Sequence, residues 1–328
     1  MHKPLRLIAL FSAAAVSLSI ASPAEADVDY KSSITGAFSE VSAKAEHQGM
    51  KLLSNVAGLN LETSAKGYVA RTSGTSITNI PLDPSLPVQV TALKGVTVFI
   101  GMPFSHKAKE AQLIAEGAVA YDNQNASTTT VIAKVDGSVQ IATVLASKEA
   151  PTRYSYELTL PVGAEAKLGN DGGVIFVGVA GKHLGGIAPA WSRDARGADV
   201  PTRYELSGST LTQIVDHQNV PYAYPIVADP WLGLELIDRT ASQSKTLQVF
   251  PTLWGRLADT ASRWSAWDEV LSKTPGTREN TASMRDQLYC HVDFVRKVEP
   301  FKTSWNLDLD RPYSDYLTLG LNKCNNPK

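Results

Sequence analysis

Two cysteines, Cys290 and Cys324, constrain this chain more than any other feature of its sequence. They are the only cysteines in the protein, and both lie close to its C-terminus. Two cysteines in an oxidising compartment usually pair, and a bridge closing a loop of this length should stabilise the fold by about 4 kcal/mol. The alternative, two metal-binding thiolates, lacks a C-x-x-C motif or a spaced histidine partner. We predict a disulfide, and no metal or other cofactor.

The first residues are typical of an export signal. Basic side chains precede an apolar run over residues 7–20, and Ala24-Glu25-Ala26 fits the small-x-small rule of signal peptidase. We predict a signal peptide over residues 1–26 and a secreted, extracellular protein that could associate with the cell surface. A transmembrane anchor is the alternative, but the run is shorter than the ~20 residues that span a bilayer. No later segment is apolar enough to span either.

The balance of charges argues against one class of partner. The chain has 31 basic and 32 acidic residues, for a net charge of -1. This balance is unlike the basic footprint of nucleic-acid binders, so we expect no nucleic-acid partner. Charged residues make up only 19% of the chain, which is typical of an extracellular β-rich protein.

Hydrophobic periodicity divides the mature chain into four parts. Residues 27–60 are predicted as a helical segment, 61–230 as a β-rich domain, 231–248 as a linker and 249–328 as a C-terminal α+β domain. The fold class is therefore α+β, with an N-terminal helix, a central antiparallel sandwich-like domain and a small disulfide-closed C-terminal domain. The clearest hairpin spans Thr130 to Leu145, and its Asp-Gly pair predicts a type I′ turn.

A short motif occurs twice in the β-rich domain. Pro151-Thr152-Arg153-Tyr154 recurs as Pro201-Thr202-Arg203-Tyr204, and each copy opens a predicted strand. The motif indicates either two similar strand starts in one sheet or a weak duplication. Another segment, Gly178 to Gly186, is rich in glycine and contains His183. It lacks the strand-Gly-helix order of a phosphate cradle and is predicted as a loop or bulge.

Two amphipathic patterns predict helices in the C-terminal domain. The first places these residues on one apolar face: Leu253, Leu257, Ala261, Trp264 and Leu271. Trp254 and Trp267 lie beside it. The three tryptophans of this region suit a buried helix face better than a sugar-binding platform. The second helix starts near Asn280 or Thr281, and its apolar positions are Met284, Leu288, Val292 and Val295.

His291 is the most specific candidate for a catalytic residue. An imidazole beside a disulfide can act as a general acid or base, with Asp293 or Asp286 to orient it. Helical spacing opposes both pairings, because each residue turns the helix by about 100°. The alternative is a structural histidine that hydrogen-bonds to the backbone.

Trp305, Asn306 and Arg311 are candidates for a binding surface. Tryptophan and arginine concentrate binding energy, and Asn306 and Arg311 could hold a carboxylate, sugar or phosphate. The alternative is that Trp305 and Leu307 pack on the two helices. Arg311 would then pair with an acidic residue of the first helix, either Asp268 or Glu269.

The C-terminal segment resembles a family of secreted actinobacterial domains of unknown function (2599). The resemblance rests on Pro251-Thr252, Trp254-Gly255-Arg256, Trp267-Asp268-Glu269-Val270, Met284-Arg285-Asp286-Gln287, Cys290-His291, Trp305-Asn306-Leu307, Arg311-Pro312 and Cys324-Asn325. The stretch from Pro201 to Trp231 is similar to a β-rich region found upstream in such proteins. The resemblance implies export and this domain layout, and it implies no established activity.

The sequence favours a binding role over catalysis. It contains no G-x-S-x-G, no H-E-x-x-H and no phosphate-binding glycine loop. We therefore expect a secreted, non-enzymatic binding or interaction protein that recognises an envelope component or a protein partner. The alternative is an exported effector, either a hydrolase that uses His291 or a toxin-like antagonist.

Overall fold

The computed structural model describes most of the chain. The described residues are 23–44, 51–57, 61–72, 76–92, 95–258, 262–274, 281–300, 302–309, 316–321 and 324. The predicted signal peptide falls outside them up to residue 22, and it stays a prediction.

Helix α1, Pro23–Ala43, lies against one face of the largest sheet. Its buried residues include Phe38 and Val41, which pack on the side chains of that sheet. The helix is shorter than the predicted helical segment 27–60, since residues 51–57 form turns and an isolated bridge to the sheet. The buried amine of Lys134 explains this difference, because it binds the carbonyl oxygens of Leu52 and Ser54.

The centre of the molecule consists of two antiparallel sheets. An eight-stranded sheet has the order β1-β2-β3-β4-β5-β10-β16-β15. Its strands are β1 Leu61–Ser64, β2 Gly67–Arg71, β3 Ile77–Pro81, β4 Val88–Thr91, β5 Thr97–Ile100, β10 Arg153–Thr159, β15 Thr202–Ser207 and β16 Thr210–Val215. A ten-stranded sheet has the order β11-β12-β13-β18-β9-β8-β7-β6, and β17 joins β14 to β9. Its strands are β6 Gln112–Ala115, β7 Ala118–Asp122, β8 Ser127–Ala133, β9 Val139–Leu145, β11 Glu165–Leu168, β12 Val174–Val177, β13 His183–Ile187, β14 Trp191–Arg193, β17 Ile226–Asp229 and β18 Trp231–Gly233.

The two sheets share one hydrophobic core. Val88, Ile100 and Tyr156 from the first sheet join Ile141 and Phe176 from the second in a single buried cluster. The protein is therefore mostly β, with one helix on the outer face of the larger sheet.

The β8–β9 hairpin has the predicted position but a different turn. Val131 pairs with Ile141, and Gly137 has a φ of +80°. The N–H of Gly137 donates to the carbonyl of Lys134 at 3.0 Å, and Asp136 is not among the residues with positive φ. A type I′ turn needs positive φ at both central residues, so the prediction of that turn type is wrong.

The repeated Pro-Thr-Arg-Tyr motif opens the two strands that flank β16. Tyr154 of β10 and Tyr204 of β15 both pair with Gln213 of β16. The motif therefore marks two similar strand starts in one sheet, which is the simpler of the two readings.

A smaller module follows the two sheets. Its sheet has the order β19-β20-β21, with β19 Ile237–Gln243, β20 Thr246–Pro251 and β21 Trp305–Asp308. Its helices are α2 Arg263–Lys273, α3 Thr281–Cys290, α4 Arg296–Val298 and α5 Tyr316–Leu321, with a π-helix at His291–Val295 between α3 and α4. The segment 231–248, predicted as a linker, contains β18, β19 and the start of β20.

The predicted disulfide is confirmed. Cys290 and Cys324 are bonded, and their Cα atoms lie 5.3 Å apart. Both residues are buried beside Val295 and Leu319, so the bridge ties the end of α3 to the segment after α5.

The first predicted helix of the module has the wrong phase. The buried residues of α2 are Ala266, Trp267 and Val270, while Trp264 and Leu271 are exposed. Trp254 belongs to a separate 3-10 turn, Trp254–Arg256, so the two segments do not share one helical periodicity. In the second helix all four predicted apolar residues are buried, namely Met284, Leu288, Val292 and Val295.

The module packs tightly on the end of the β-rich domain. Trp254 covers Gly233 of β18, where an added Cβ would lie 2.3 Å from the indole ring. Trp231 belongs to the core of the module, and its Nε1 donates to Ser138 Oγ at 2.9 Å. These contacts hold α2 close to the loops of the larger sheet.

Candidate functional site

A cleft lies where the module meets the β-rich domain, and it is termed here the α2 cleft. It encloses about 360 Å³ between one side of α2 and the loops around β5 and β13. Its ionisable and aromatic side chains are Lys182, His183, Glu235, Trp264, Asp268, Glu269 and Lys273. Apolar side chains, including Val96 and Leu234, complete the wall. A concave site with an apolar wall and a few polar groups is the usual form of a small-molecule site.

Glu269 attaches α2 to the start of β19. Its carboxylate accepts the N–H groups of Leu236 and Ile237, each at 2.9 Å to Oε2. Burial raises the pKa of Glu269 to about 7, and the backbone N–H of Ile237 and the ammonium of Lys273 oppose that rise. The carboxylate therefore fixes the position of α2 relative to the strand beneath it.

A second acidic group in the cleft is paired with a lysine. Lys273 Nζ lies 2.7 Å from Glu235 Oε2, and both side chains are largely buried. The same amine donates to the carbonyl of Asp238 at 3.2 Å. Since Glu235 precedes β19 and Lys273 ends α2, this pair reinforces the attachment made by Glu269.

Trp264 is the aromatic side chain of the cleft. Its side chain is 57% exposed although it lines a concave wall. The indole packs edge to face on Tyr289, with ring centroids 5.0 Å apart. The guanidinium of Arg263 lies 5.2 Å from the Tyr289 ring and 5.9 Å from the Trp264 ring. These contacts hold the indole in place while leaving much of it open to solvent.

The opposite wall comes from the turn between β12 and β13. This turn is the first part of the glycine-rich segment that the sequence predicts as a loop or bulge, and the rest of the segment, from His183, belongs to β13. The register of the β12–β13 pair shifts between Phe176 and Val177. Ala180 has a φ of +58°, a left-handed conformation that non-glycine residues rarely adopt. Such residues cluster at functional sites, where the surrounding structure supports the strained backbone.

His291 lies away from the α2 cleft, inside the module. The residue is 1% exposed, and its Nδ1 is 2.8 Å from the carbonyl oxygen of Gln287. Burial lowers the pKa of His291 to about 4, so the imidazole is neutral near pH 7. The proposed orienting carboxylate of Asp293 instead contacts Arg263 Nη1 at 2.6 Å. The geometry favours the structural alternative, a histidine bonded to the backbone.

Two of the three residues predicted as a binding surface lie in the described part of the chain. Trp305 is buried beside His291, with ring centroids 6.3 Å apart. Asn306 is partly buried, and its Oδ1 accepts a hydrogen bond from Ser304 Oγ at 2.9 Å. Arg311 lies outside the described residues. The packing alternative therefore describes Trp305 and Leu307, both of which are core residues.

The described ranges contain neither a metal-binding cluster nor a membrane-spanning helix. There, no group of three or more histidine, cysteine, aspartate or glutamate side chains is arranged to hold a metal ion. No described helix is long and apolar enough to cross a bilayer.

The sequence contains all the residues of the α2 cleft but does not reveal the site. From the sequence, Asp268 and Glu269 are assigned to a motif of the resembling family and to a possible pairing with Arg311, and Trp264 is assigned to a buried face. The Trp-Ser-Ala-Trp-Asp-Glu order at residues 264–269 carries no usable signal either. Trp264 and Trp267 are three residues apart and therefore neighbours on a helix surface, so the order does not predict that the first is exposed and the second buried.

Comparison with known proteins identifies the module and not the whole chain. Residues 238–327 match the family described as "Protein of unknown function (DUF2599)", and this match begins within β19. Uncharacterized proteins of Mycobacterium tuberculosis and Mycobacterium bovis are each 37% identical over 84 residues, which are 24% of this chain and 55% of the relative. An uncharacterized protein of Mycobacterium leprae is 38% identical over 74 residues, which are 21% of this chain and 58% of the relative. The chain thus spans little more than half the length of these relatives, and no solved structure matches it.

Proposed function

We propose that this protein is a secreted, non-enzymatic binding protein whose ligand occupies the α2 cleft. It would act at the cell envelope or on another cell, where an envelope component or a protein partner would supply the ligand. The observation that supports this proposal is the exposed indole of Trp264 in the wall of a cleft of about 360 Å³. An exposed tryptophan in a concave site concentrates binding energy.

Binding is favoured over catalysis because the two most buried carboxylates of the cleft are engaged in the fold. Glu269 is hydrogen-bonded to two backbone N–H groups, and Glu235 is paired with Lys273. A general acid or base needs a free proton-transfer position within reach of a substrate. The alternative, an exported effector that uses His291 as a hydrolase or acts as a toxin-like antagonist, would require a substrate to reach a buried imidazole.

Secretion is supported by the order of the first residues and by the disulfide. A basic start, an apolar run and a small-x-small site are typical of exported chains. A disulfide that buries both sulfur atoms also persists best in an oxidising compartment.

The experiment is a pull-down of the purified mature protein on peptidoglycan, envelope polysaccharide and lipid vesicles. The test variant is Trp264→Ala, which removes the exposed indole of the cleft. The matched control is Phe294→Ala, an aromatic of the same module that is 48% exposed and does not line the cleft. Melting temperatures of all three proteins show whether the variants are folded.

The expected result is binding to one of these materials that Trp264→Ala abolishes and Phe294→Ala retains. Equal binding by the wild type and Trp264→Ala would place the ligand elsewhere on the surface. A lack of binding by the wild type to all three materials would contradict the envelope as its target. Turnover of any of them, measured by zymography alongside, would replace the proposal with the enzyme alternative.

A further inference from the structure

The Trp264 indole offers a flat apolar surface that is fixed before any ligand arrives. Its position at the start of α2 and its edge-to-face packing on Tyr289 restrict its rotamer. Binding to a fixed ring costs less conformational entropy than binding to a mobile one. The ligand should therefore present a flat face with C–H groups to this ring.

The polar groups next to the indole are few and of both signs. Asp268 lies one helical turn after Trp264, on the same side of α2. Lys182 comes from the opposite wall. Glu235, Glu269 and Lys273 are engaged with each other or with the backbone, as described above. His183 lies beside Trp254, with ring centroids 6.2 Å apart. Asp268 and Lys182 are therefore the charged groups placed to meet a ligand, one as an acceptor and one as a donor.

This charge pattern argues against two chemical classes of ligand. A phosphate or sulfate site would need several arginine or lysine donors converging on one point. Among the described residues that line the cleft, the lysines are Lys182 and the paired Lys273, and Asp268 lines the same cleft. A polycation would need a surplus of carboxylates that lack partners. A neutral ligand with several hydroxyl groups satisfies both Asp268 and Lys182 without a net change in charge.

We propose that the α2 cleft binds a neutral carbohydrate, with one sugar ring stacked on Trp264 and its hydroxyl groups held by Asp268 and Lys182. A pyranose ring has an apolar C–H face and a rim of hydroxyl groups, which is the combination that this wall presents. The proposal rests on the proposed function, because it names the class of ligand for the same cleft. The competing ligands are a peptide and a small amine with an apolar body. The experiment below distinguishes them from a carbohydrate.

The experiment is a set of calorimetric titrations of the mature protein at pH 7. The probes are oligosaccharides of N-acetylglucosamine, oligosaccharides of glucose, a neutral peptide and an alkyl amine. The variants are Trp264→Ala, Trp264→Phe and Asp268→Asn, with Phe294→Ala as control. We expect at least one oligosaccharide to bind, with affinity about tenfold weaker in Trp264→Ala, partly retained in Trp264→Phe and weakened several-fold in Asp268→Asn.

Three outcomes overturn the carbohydrate proposal in different ways. In the first, the peptide or the amine binds, its binding depends on Trp264, and no sugar binds. The cleft is then the binding site, but its ligand is not a carbohydrate. Sugar binding that Trp264→Ala does not weaken places the sugar site elsewhere. Failure of all four probes, together with failure of the pull-down described above, removes the proposed function as well.

Discussion

The carboxylate of Asp136, in the turn between β8 and β9, accepts the backbone N–H of Leu253 at 2.5 Å. The other oxygen of the same carboxylate accepts the N–H and the hydroxyl of Ser138, at 3.0 and 2.6 Å. One side chain therefore orders the tip of the central hairpin and joins it to the C-terminal module. Since the module forms one wall of the α2 cleft, this contact also helps to set the shape of the cleft.

Replacement of Asp136 by alanine should destabilise the protein by about 1–3 kcal/mol, because three donors lose a charged acceptor. The measurement is the free energy of unfolding from urea titration. The control is Asp216→Ala, which removes an exposed pair with Arg203 and should cost less than about 1 kcal/mol. Equal losses in the two variants would show that the Asp136 contact adds nothing beyond a surface ion pair.

Close packing of the module should make Gly233 intolerant of a side chain. In Gly233→Ala the new Cβ would lie 2.3 Å from the indole of Trp254, so overpacking should cost about 1–3 kcal/mol. Gly36→Ala is the matched control, because no atom lies within 4 Å of its added Cβ and alanine favours the helix by up to ~1 kcal/mol. Thermal unfolding should show a lower midpoint for the first variant and an equal or higher one for the second. An unchanged midpoint for Gly233→Ala would mean that the Trp254 contact is loose.

The sequence predicts those strands whose two faces have different surroundings. In β10 the residues alternate between buried and exposed, and the period-two pattern reveals the strand. In β8 and β9 every residue is buried, because α1 covers one face and the other sheet covers the second. The hairpin is still predictable there, because the Asp-Gly turn stands between two runs with apolar residues at alternate positions. β19 is mostly exposed and polar, which explains its prediction as part of a linker.

The candidate site was less predictable than the fold, because it depends on contacts between distant segments. Glu269 meets the N–H groups of Leu236 and Ile237, more than thirty residues earlier in the chain. The turn at Ala180 reaches the same cleft from the ten-stranded sheet. Periodicity along one segment carries no information on such contacts. It also assigned Trp264 to the core, since it treated a 3-10 turn and α2 as one helix.

Glu269 should make the protein less stable as the pH rises. Burial raises the pKa of its carboxyl to about 7, above the ordinary 4.5, so the folded state holds the proton more tightly than the unfolded state. The resulting stabilisation is complete below about pH 4.5 and is lost as the pH rises through about 7. Glu269→Gln keeps a neutral acceptor that does not titrate. Its unfolding free energy relative to that of the wild type should therefore rise by up to about 3 kcal/mol between pH 4.5 and pH 8.

The measurement is the difference in unfolding free energy between wild type and Glu269→Gln at these two pH values. Glu116→Gln, which changes an exposed side chain, controls for the loss of one negative charge. A difference that is the same at both pH values would show that Glu269 titrates alike in the folded and unfolded states.

His291 should make the protein less stable as the pH falls. Burial lowers the pKa of its imidazole to about 4, below the ordinary 6.5, so the stability that it contributes is present above pH 6.5 and is lost as the pH falls through about 4. In His291→Asn the amide can replace the bond to the Gln287 carbonyl without taking up a proton. The unfolding free energy of this variant, relative to that of the wild type, should rise by up to about 3 kcal/mol as the pH falls from 7.5 to 4.

Denaturant unfolding at both pH values tests the effect, with the exposed His106→Asn as control. Equal pH dependence in His291→Asn and His106→Asn would show that the imidazole of His291 is open to solvent. The structural alternative for His291 would then fail, and a catalytic role would become the better explanation.

Reduction of the Cys290–Cys324 bond should destabilise the C-terminal module and leave the stability of the β-rich domain unchanged. The two cysteines are 34 residues apart in sequence, and a bridge that closes such a loop stabilises by about 3–4 kcal/mol in the chain-entropy model. The bond joins α3 to the segment after α5. The β8–β9 hairpin, in contrast, belongs to the ten-stranded sheet, and side chains such as Val131 and Ile141 lie in the core that the two large sheets share. Hydrogen exchange under reducing conditions should therefore speed up in Thr281–Cys290 and remain slow in Val139–Leu145. The Cys290→Ser/Cys324→Ser variant should show the same pattern without reductant and no further change when reductant is added. Equal acceleration in both segments would mean that the module and the β-rich domain unfold as one unit, and that the disulfide stabilises the whole chain.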